Sequence, residues 1–336
     1  MKFSWPDFSS LLTPKFSWIQ VEVTSFCNAS CVYCPRTVYG GAWQSRHLPL
    51  SAFQNLLPAL ARARLTYLQG WGEPFLNPDF FAMLSMAKKA GCRVGTTTNG
   101  MLLDSKIINL LVESGMDVIA FSLAGLNEIN DAARRGTSCS KVLEAIGALN
   151  RAKARAGSRR PQINIAYLLL RSGLSDLEKL PRALQGLGLA EVVINTLDFV
   201  AAGHLLPECL PQSLEEDAQL EARLQDLAQE AKGYGTHLSW RLRPPGERAL
   251  LCPENVQRSL VVSADGEVSP CVFTNLPVSG ANYLADGVEA PYRRLVFGNI
   301  NERPLRAIWR QPAYANFRRS FYTGKLAPPC RSCRKL

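Results

Sequence analysis

Short apolar runs alternate with segments of helical spacing from residue 17 to about residue 232. Six of these runs predict strands, because they are short, several are rich in β-branched residues, and Gly, Pro, Asn or Asp bound many of them. The predicted strands are 17–23, 65–69, 93–97, 118–123, 162–170 and 191–197. Strands that alternate with helices indicate a parallel sheet with right-handed crossovers. We therefore expect an α/β fold, a partial (β/α)6 TIM-like barrel that falls short of the complete eight-fold form.

Apolar residues about one turn apart predict the helices between these strands. Phe80, Leu84 and Ala87 lie at i, i+4 and i+7, so a helix there has one apolar face. Ser51 and Asp104 precede segments of helical spacing. They are candidate N-caps, because a short polar side chain can accept a hydrogen bond from a free backbone N–H of the first turn.

The pattern changes after about residue 233. The runs 258–263 and 267–271 flank Asp265 and Gly266, a dipeptide that favours a β-hairpin because both turn positions tolerate positive φ. This part has too little regular core to be stable without a further link. We expect an N-terminal extension at 1–16, the partial barrel at 17–232 and a small α+β domain with a β-hairpin at 233–336.

The composition is that of an ordinary soluble globular protein, with 47% hydrophobic and 20% charged residues among 336. No apolar run approaches the ~20 residues that a membrane-spanning helix needs. The first 18 residues lack a basic start followed by an apolar stretch, so they do not resemble a secretory signal. We expect a cytoplasmic protein with no membrane partner.

The formal net charge is +10, from 38 basic and 28 acidic residues. Such a surplus favours acidic partners, including nucleic acid. The basic residues are scattered, however, and the densest run, 151–160, is better explained as a solvated helix end. We therefore expect no nucleic-acid partner, and an RNA-binding role has only this charge in its support.

Ten cysteines stand in a chain that we expect in a reducing compartment, where disulfides are rare. Seven of them fall into two groups, while Cys92, Cys139 and Cys209 stand apart. Clustered cysteines in such a compartment indicate metal sites rather than a disulfide framework.

The first group has the spacing CxxxCxxC, at Cys27, Cys31 and Cys34, directly after the first predicted strand. Three thiolates can hold three irons of a 4Fe–4S cluster and leave the fourth iron open to an exchangeable ligand, as catalytic zinc sites keep one open position. The alternatives are a structural zinc site or three unrelated thiols. Zinc prefers four ligands, and only His47 lies nearby, so the spacing favours iron–sulfur.

Together with Tyr33, these cysteines match the motif CxxxCxΦC, in which Φ is aromatic. In this motif the chain resembles the radical S-adenosylmethionine superfamily. The resemblance implies a 4Fe–4S cluster on Cys27, Cys31 and Cys34, with S-adenosylmethionine at its open iron and Tyr33 against the adenine. It also implies an external one-electron donor, such as a flavodoxin or a ferredoxin.

A second part of the resemblance is the turn Trp71-Gly72-Glu73-Pro74, after the second predicted strand. Members of the superfamily carry a Gly-Gly-Glu-Pro-like motif there, whose backbone binds the methionyl amine, and Trp71 replaces the first glycine. The resemblance makes Gly72, Glu73 and Pro74 cofactor-binding residues. The alternative is an ordinary turn, which Gly72 and Pro74 also favour.

Three further residues follow the plan of the superfamily. Asn99 follows the third predicted strand, Ser122 lies at the end of the fourth, and Arg134 comes one loop later. The resemblance implies that Ser122 meets the ribose and Arg134 the carboxylate, to which a guanidinium can make two parallel hydrogen bonds. Arg135 is the alternative to Arg134, and Asn99 is equally well explained as a turn-capping residue.

The second group brackets the hairpin with Cys252 and Cys271 and ends in Cys330-x-x-Cys333. Four thiolates that converge on one metal would supply the link that the small domain needs. The pattern resembles the C-terminal SPASM or twitch domain, which implies a second, fully ligated 4Fe–4S cluster. A zinc knot is the alternative. Cys209 is a candidate fifth thiol near the substrate, with a buried structural cysteine as the alternative.

The resemblance covers residues 17–333. It implies reductive cleavage of S-adenosylmethionine to a 5′-deoxyadenosyl radical, which abstracts a hydrogen atom from a substrate. We expect a net oxidation of a small molecule or a peptide, with the second cluster as electron acceptor. The alternatives are peptide crosslinking or protein maturation and, in another class, a non-catalytic iron–sulfur carrier. No motif indicates the substrate or a catalytic acid or base.

Overall fold

The computed structural model describes residues 15–243, 246, 251–285 and 287–336. Within these ranges the strands are β1 (Phe16–Val21), β2 (Ala63–Leu68), β3 (Arg93–Thr98), β4 (Val118–Leu123), β5 (Gln162–Leu169), β6 (Glu191–Thr196), β7 (His237–Trp240), β8 (Ser259–Val262), β9 (Val268–Ser269), β10 (Asn282–Ala285) and β11 (Val288–Pro291). The first nine form one sheet in the order β7-β6-β5-β4-β3-β2-β1-β8-β9, and β10 pairs with β11.

The six predicted strands are present as β1 to β6, each shifted by at most two residues at either end. Neighbouring strands from β1 to β7 pair in parallel. Their carboxyl ends therefore lie along one edge of the sheet, where α/β proteins bind ligands. The predicted fold class, a partial parallel barrel followed by a small domain with an antiparallel hairpin, is confirmed.

The sheet continues beyond residue 232. β8 pairs in parallel with β1 on the side opposite to β2, so that Ile19 lies between Thr66 and Leu260. β9 then returns antiparallel to β8 and forms the predicted hairpin. Its turn contains Asp265 and Gly266, and Gly266 has a φ of +83°, which only glycine adopts without strain.

The helices connect the strands and bury their apolar faces. They are α1 (Pro35–Tyr39), α2 (Leu50–Gln54), α3 (Leu57–Leu60), α4 (Phe80–Lys89), α5 (Ser105–Glu113), α6 (Asn127–Ala133), α7 (Cys139–Arg155), α8 (Leu180–Ala183), α9 (Leu214–Gly233), α10 (Leu305–Arg310), α11 (Pro312–Thr323) and α12 (Pro328–Arg331). In α4 Phe80, Leu84 and Ala87 are buried, as predicted. The side chain of Asp104 caps α5. The other predicted cap is wrong, because α2 begins one residue earlier and Ser51 lies inside its first turn.

One apolar cluster joins strands and helices. It contains buried side chains of the sheet, such as Ile19 and Ile119, and of the helices, such as Leu84 and Ile146. This packing holds the carboxyl ends of the strands in place and leaves the loops that follow them free to build a site. No helix in the described part of the chain is long and apolar enough to span a membrane.

Candidate functional site

A cavity of about 330 Å³ lies at the carboxyl ends of the parallel strands. Its lining includes Cys27, Cys31 and Cys34, all from the loop that follows β1. This loop folds back on itself, since the backbone N–H of Cys34 donates to the carbonyl of Cys31 at 3.1 Å and α1 begins at Pro35. The structure thus brings the three predicted thiols of the first group to one cavity.

Burial raises the pKa of two of these thiols, Cys27 and Cys34. It raises the pKa of Cys27, and together with negative charge at Cys31 it raises the pKa of Cys34 to about 12. Without a metal, Cys27 and Cys34 therefore keep their protons, which are released when a metal site forms. Three such thiols in one cavity are a donor set that suits an iron–sulfur cluster.

The turn after β2 comes very close to the cysteine loop at Gly72. A Cβ at this position would lie 2.3 Å from the carbonyl oxygen of Phe26 and 2.5 Å from that of Thr24. The backbone N–H of Glu73 donates to the same Phe26 carbonyl at 2.8 Å. Gly72 lines the cavity, whereas Pro74 is buried at the start of a short 3-10 turn outside the lining. The close approach requires glycine.

The carboxylate of Glu73 is held by the end of β3. Thr98 Oγ1 donates to its Oε1 at 2.8 Å, and the backbone N–H of Asn99 donates to its Oε2 at 2.7 Å. Burial raises the pKa of Glu73 to about 7, although both bonds oppose the rise. Asn99 extends the link, because its Nδ2 donates to Asn28 Oδ1 at 2.8 Å. Both carboxylate oxygens of Glu73 thus already have partners within the protein.

Arg134 follows α6 and is buried, and its Nη1 donates to the hydroxyl of Tyr33 at 2.6 Å. Its Nε has no hydrogen-bond partner among the described residues, so the guanidinium can bind a further acceptor. Arg134 and Ser122 line the cavity, while Arg135 is exposed. Arg36 lines it as well and was not predicted; its position two residues after Cys34 is the one signal in the sequence.

Trp71 contacts the C-terminal part of the chain. This residue stands where the motif of the superfamily has its first glycine. Its Nε1 donates to the carbonyl of Val272 at 3.4 Å, and its backbone N–H donates to Glu22 Oε1 at 2.8 Å. The other oxygen of Glu22 accepts from the backbone N–H of Ala264, in the hairpin, at 3.1 Å. Glu22 is fully buried, which raises its pKa to about 7. The turn is therefore tied to β1 and to the hairpin at once.

A second cavity, of about 310 Å³, has the four cysteines of the second group in its lining, Cys252, Cys271, Cys330 and Cys333. Burial raises the pKa of Cys252 to about 11 and that of Cys330 to about 12. The four thiols suit a fully ligated cluster, in which each iron needs only one thiolate. Among the described residues, no three His, Cys, Asp or Glu side chains lie close enough together for a single metal ion.

The two cavities share a wall formed by Asp198, Phe199, Phe273 and Lys335. The rings of Phe199 and Phe273 are parallel, with centroids 5.9 Å apart. Lys335 Nζ lies 3.5 Å from Asp198 Oδ2. None of these four residues belongs to a motif in the sequence. For Asp198, the available signal was its position just after a parallel strand.

A third, outer cavity of about 620 Å³ adjoins the shared wall, and its lining includes Thr196, Asp198, Cys209, Arg243 and Arg334. Cys209 is buried, and its single S–H can donate to the carbonyl of Leu197, 3.7 Å from the sulfur, or to that of Leu205, 3.8 Å away. These contacts favour a buried structural cysteine over a fifth thiol near the substrate.

The profile of the radical SAM superfamily matches residues 21–164, the part that holds the first cysteine group, the Gly72 turn and Arg134. The chain belongs to the radical SAM superfamily. The SPASM profile, described as an iron–sulfur cluster-binding domain, matches residues 252–334, which hold the four cysteines of the second group. A radical SAM domain binds a 4Fe–4S cluster and S-adenosylmethionine, and a SPASM domain binds additional iron–sulfur clusters. The predicted family and cofactors are confirmed.

Curated relatives match this radical SAM protein over nearly its whole length. The tungsten-containing aldehyde ferredoxin oxidoreductase cofactor-modifying protein of Pyrococcus furiosus is 26% identical over 329 residues, which cover 94% of this chain and 86% of the relative. The PqqA peptide cyclase of Granulibacter bethesdensis is 23% identical over 325 residues, which cover 93% and 78%.

Solved structures share the fold of this radical SAM protein. SuiB of Streptococcus suis, bound to S-adenosylmethionine, has a TM-score of 0.70 at 13% identity, with 93% of this chain and 70% of SuiB covered. The enzyme anSMEcpe, bound to AdoMet and the Cp18Cys peptide, has a TM-score of 0.67 at 18% identity, with 94% and 87% covered. At these identities the likeness is one of fold.

Proposed function

We propose that Cys27, Cys31 and Cys34 hold the cluster at which S-adenosylmethionine binds, and that Arg134 and Ser122 bind this cofactor. All five residues line one cavity. The buried Nε of Arg134, which has no partner among the described residues, is an orphaned donor that the cofactor carboxylate would satisfy.

The remaining predicted residues shape this site. Gly72 admits the close approach of the turn to the cysteine loop. Both carboxylate oxygens of Glu73 accept hydrogen bonds from residues at the end of β3. We therefore propose that Glu73 orients the backbone of the turn towards the methionyl amine. Asn99 joins β3 to the cysteine loop through Asn28. Tyr33 positions Arg134 by accepting its hydrogen bond, and its ring lies in the lining where the resemblance puts the adenine.

The chemistry that the cluster and S-adenosylmethionine supply when bound is a 5′-deoxyadenosyl radical, which removes a hydrogen atom from a substrate. The chain must keep water and its own reactive groups away from that event. Apolar walls serve this purpose, since the rings of Trp71, Phe199 and Phe273 line the cavity. An external one-electron donor, such as a flavodoxin or a ferredoxin, belongs to the same proposal.

We propose a net oxidation, with the electron acceptor held by Cys252, Cys271, Cys330 and Cys333 as one 4Fe–4S cluster. The observation that carries this proposal is the wall shared by the two thiol-lined cavities. A substrate bound at that wall is adjacent to both thiol groups. Electron removal then needs no movement of the substrate between sites.

Modification of a peptide is the second candidate function. The PqqA peptide cyclase is among the curated relatives, and SuiB and anSMEcpe were both solved with peptides bound. We propose that this chain also acts on a peptide or on an amino-acid-like small molecule.

The test is S-adenosylmethionine cleavage by the reconstituted protein under anaerobic conditions with dithionite. We expect slow formation of 5′-deoxyadenosine, measured by chromatography, and its loss in Cys31→Ala. Cys92→Ala is the matched control, because Cys92 is a buried cysteine that lines neither thiol cavity. A fully loaded protein that forms no 5′-deoxyadenosine would instead support an iron–sulfur carrier.

The electron-acceptor role has its own test. In the double variant Cys330→Ala, Cys333→Ala, 5′-deoxyadenosine formation should persist while oxidised product is lost. A candidate peptide is needed as substrate, and product and 5′-deoxyadenosine are measured in the same samples. An unchanged ratio of the two would show that the second site is structural.

A further inference from the structure

Asp198 stands where three cavities meet. It follows β6 by two residues, and it lines the first thiol cavity, the second thiol cavity and the outer cavity. Thr196 lines the first and the outer cavity as well. A substrate bound in any of these three cavities therefore has the Asp198 carboxylate in its wall.

The carboxylates of Asp198 and Glu254 share one cation, the ammonium of Lys335. Lys335 Nζ lies 2.5 Å from Glu254 Oε1 but 3.5 Å from Asp198 Oδ2. Thr196 Oγ1 donates to Asp198 Oδ1 at 3.3 Å. Burial raises the pKa of Asp198, and the charge of Glu254 adds to the rise while Lys335 and Thr196 oppose it. One ammonium is thus shared by two part-buried carboxylates, and its pair with Asp198 is the longer of the two.

Aromatic rings lie in the same wall as Asp198. The ring of Phe199 is stacked between Phe273, at 5.9 Å, and Tyr283, at 5.5 Å between centroids. Lys335 Nζ lies 4.8 Å from the centroid of Phe273, so this wall already holds one ammonium over a ring. Carboxylates combined with aromatic faces are a typical environment for ammonium groups.

We propose that Asp198 is a substrate-positioning residue that binds a positively charged amine of the substrate. The inference rests on the proposed function, because it names the substrate class of that same site. The incoming ammonium replaces Lys335 at the longer of its two ion pairs, while Lys335 stays on Glu254. Arg243 and Arg334 line the outer cavity, so an amine that also carries a carboxylate, as amino acids and peptides do, finds partners for both charges.

Binding of small probes to the full-length, iron-loaded protein tests this inference. The probes are benzylamine and benzyl alcohol, which match in size and differ in charge, titrated calorimetrically at neutral pH and low salt. We expect benzylamine to bind at least about tenfold more tightly than benzyl alcohol. Asp198→Asn should reduce this preference to less than about twofold, and Asp198→Glu should retain most of it.

The matched control is Asp226→Asn, which removes the same charge from an exposed position on α9 and should leave the preference unchanged. Lys335→Met keeps Asp198 and removes the competing ammonium, so benzylamine should bind more tightly to this variant. If Asp198→Asn fails to load iron, the affinity of Lys335→Met for benzylamine tests the role of Asp198 instead. Equal binding of the two probes, an unchanged preference in Asp198→Asn, or no gain in Lys335→Met would overturn the inference.

A peptide arm distinguishes the source of the amine. The capped tripeptide Ala-Lys-Ala is compared with the same peptide carrying norleucine in place of lysine. Both pairs should show the charge preference, and the amine that binds more tightly indicates whether the natural amine belongs to a peptide or to a small molecule. These titrations measure binding and not turnover. Amine binding without 5′-deoxyadenosine formation would therefore remove the proposed function, and the reverse result would remove only the inference.

Discussion

Arg134 and Tyr33 are 101 residues apart in the chain, and a hydrogen bond of 2.6 Å joins the guanidinium of the first to the phenol of the second. Tyr33 belongs to the cysteine loop, while Arg134 follows α6. The bond ties the loop after β1 to the loop after β4, and both residues line the same cavity. Two separate parts of the sequence thus meet in the lining of one cavity.

The first prediction concerns this arginine. Arg134→Lys should weaken S-adenosylmethionine binding by about tenfold or more, because lysine cannot make two parallel hydrogen bonds to a carboxylate and bond Tyr33 as well. Equilibrium dialysis with the iron-loaded protein measures the dissociation constant. Arg135→Lys is the control, since Arg135 is exposed, and its affinity should equal that of the wild type. Equal losses in the two variants would contradict the assignment.

The second prediction concerns the close approach at Gly72. Gly72→Ala should separate the turn from the cysteine loop, because the added Cβ would lie 2.3 Å from the carbonyl oxygen of Phe26. We expect the amount of iron bound at the first site to fall. The free energy of unfolding should decrease by about 1–3 kcal/mol, the usual cost of overpacking. Gly203→Ala, where nothing lies within 4 Å of the added atom, should leave both unchanged. Full iron content and wild-type stability in Gly72→Ala would refute the steric argument.

The third prediction concerns Glu22, whose pKa burial raises from 4.5 to about 7. Between these values the native state binds a proton that the unfolded state has released. The free energy of unfolding therefore falls as pH rises through this window and levels off above it. Relative to the wild type, Glu22→Gln should gain about 3 kcal/mol between pH 5 and pH 8.

Anaerobic urea unfolding of both proteins across that pH range measures the difference. Glu128→Gln changes an exposed glutamate on α6 and should keep the wild-type pH profile. A difference between Glu22→Gln and the wild type that stays constant with pH would show that Glu22 does not titrate in this window.

The fourth prediction concerns metal content. Reconstituted protein should hold about eight irons and eight sulfides per chain, since each 4Fe–4S cluster contributes four of each. Replacing Cys27, Cys31 and Cys34 together with Ala should leave about four. Colorimetric iron and sulfide assays give these numbers, and elemental analysis gives zinc. Four irons with one zinc in the unmutated chain would mean that the second site is a zinc site.

Much of the fold could be predicted because local signals determine it. β4 was predicted to the residue, since its apolar run 118–123 is bounded by Asp117 and followed by Ala124 and Gly125. Helix starts are harder, as Ser51 shows: its side chain suits a cap, but α2 starts one residue earlier. The pairing of β8 with β1 had no signal at all, because the two strands are more than 200 residues apart and their register depends on packing.

The site also contains residues that the sequence could indicate and residues that it could not. Cys27, Cys31 and Cys34 could be found because thiol spacing is fixed by the chemistry of the metal site. Asp198 and Lys335 belong to no motif, and their proximity follows from the placement of the C-terminal residues against the end of β6. The partners of Glu73 were missed for a related reason. Its sequence position indicates the cofactor, but its carboxylate bonds the neighbouring strand.

The pairing of β1 with both β2 and β8 has a consequence for synthesis of the chain. β1 is made more than 200 residues before β8, so one of its edges has no neighbour until residues 259–262 have left the ribosome. Until then its N–H and C=O groups on that edge are available to other strands, including those of another nascent chain. A fragment that ends near residue 232 would keep this edge exposed permanently. We therefore expect such a fragment to associate and precipitate, even though it contains all three thiols of the first group.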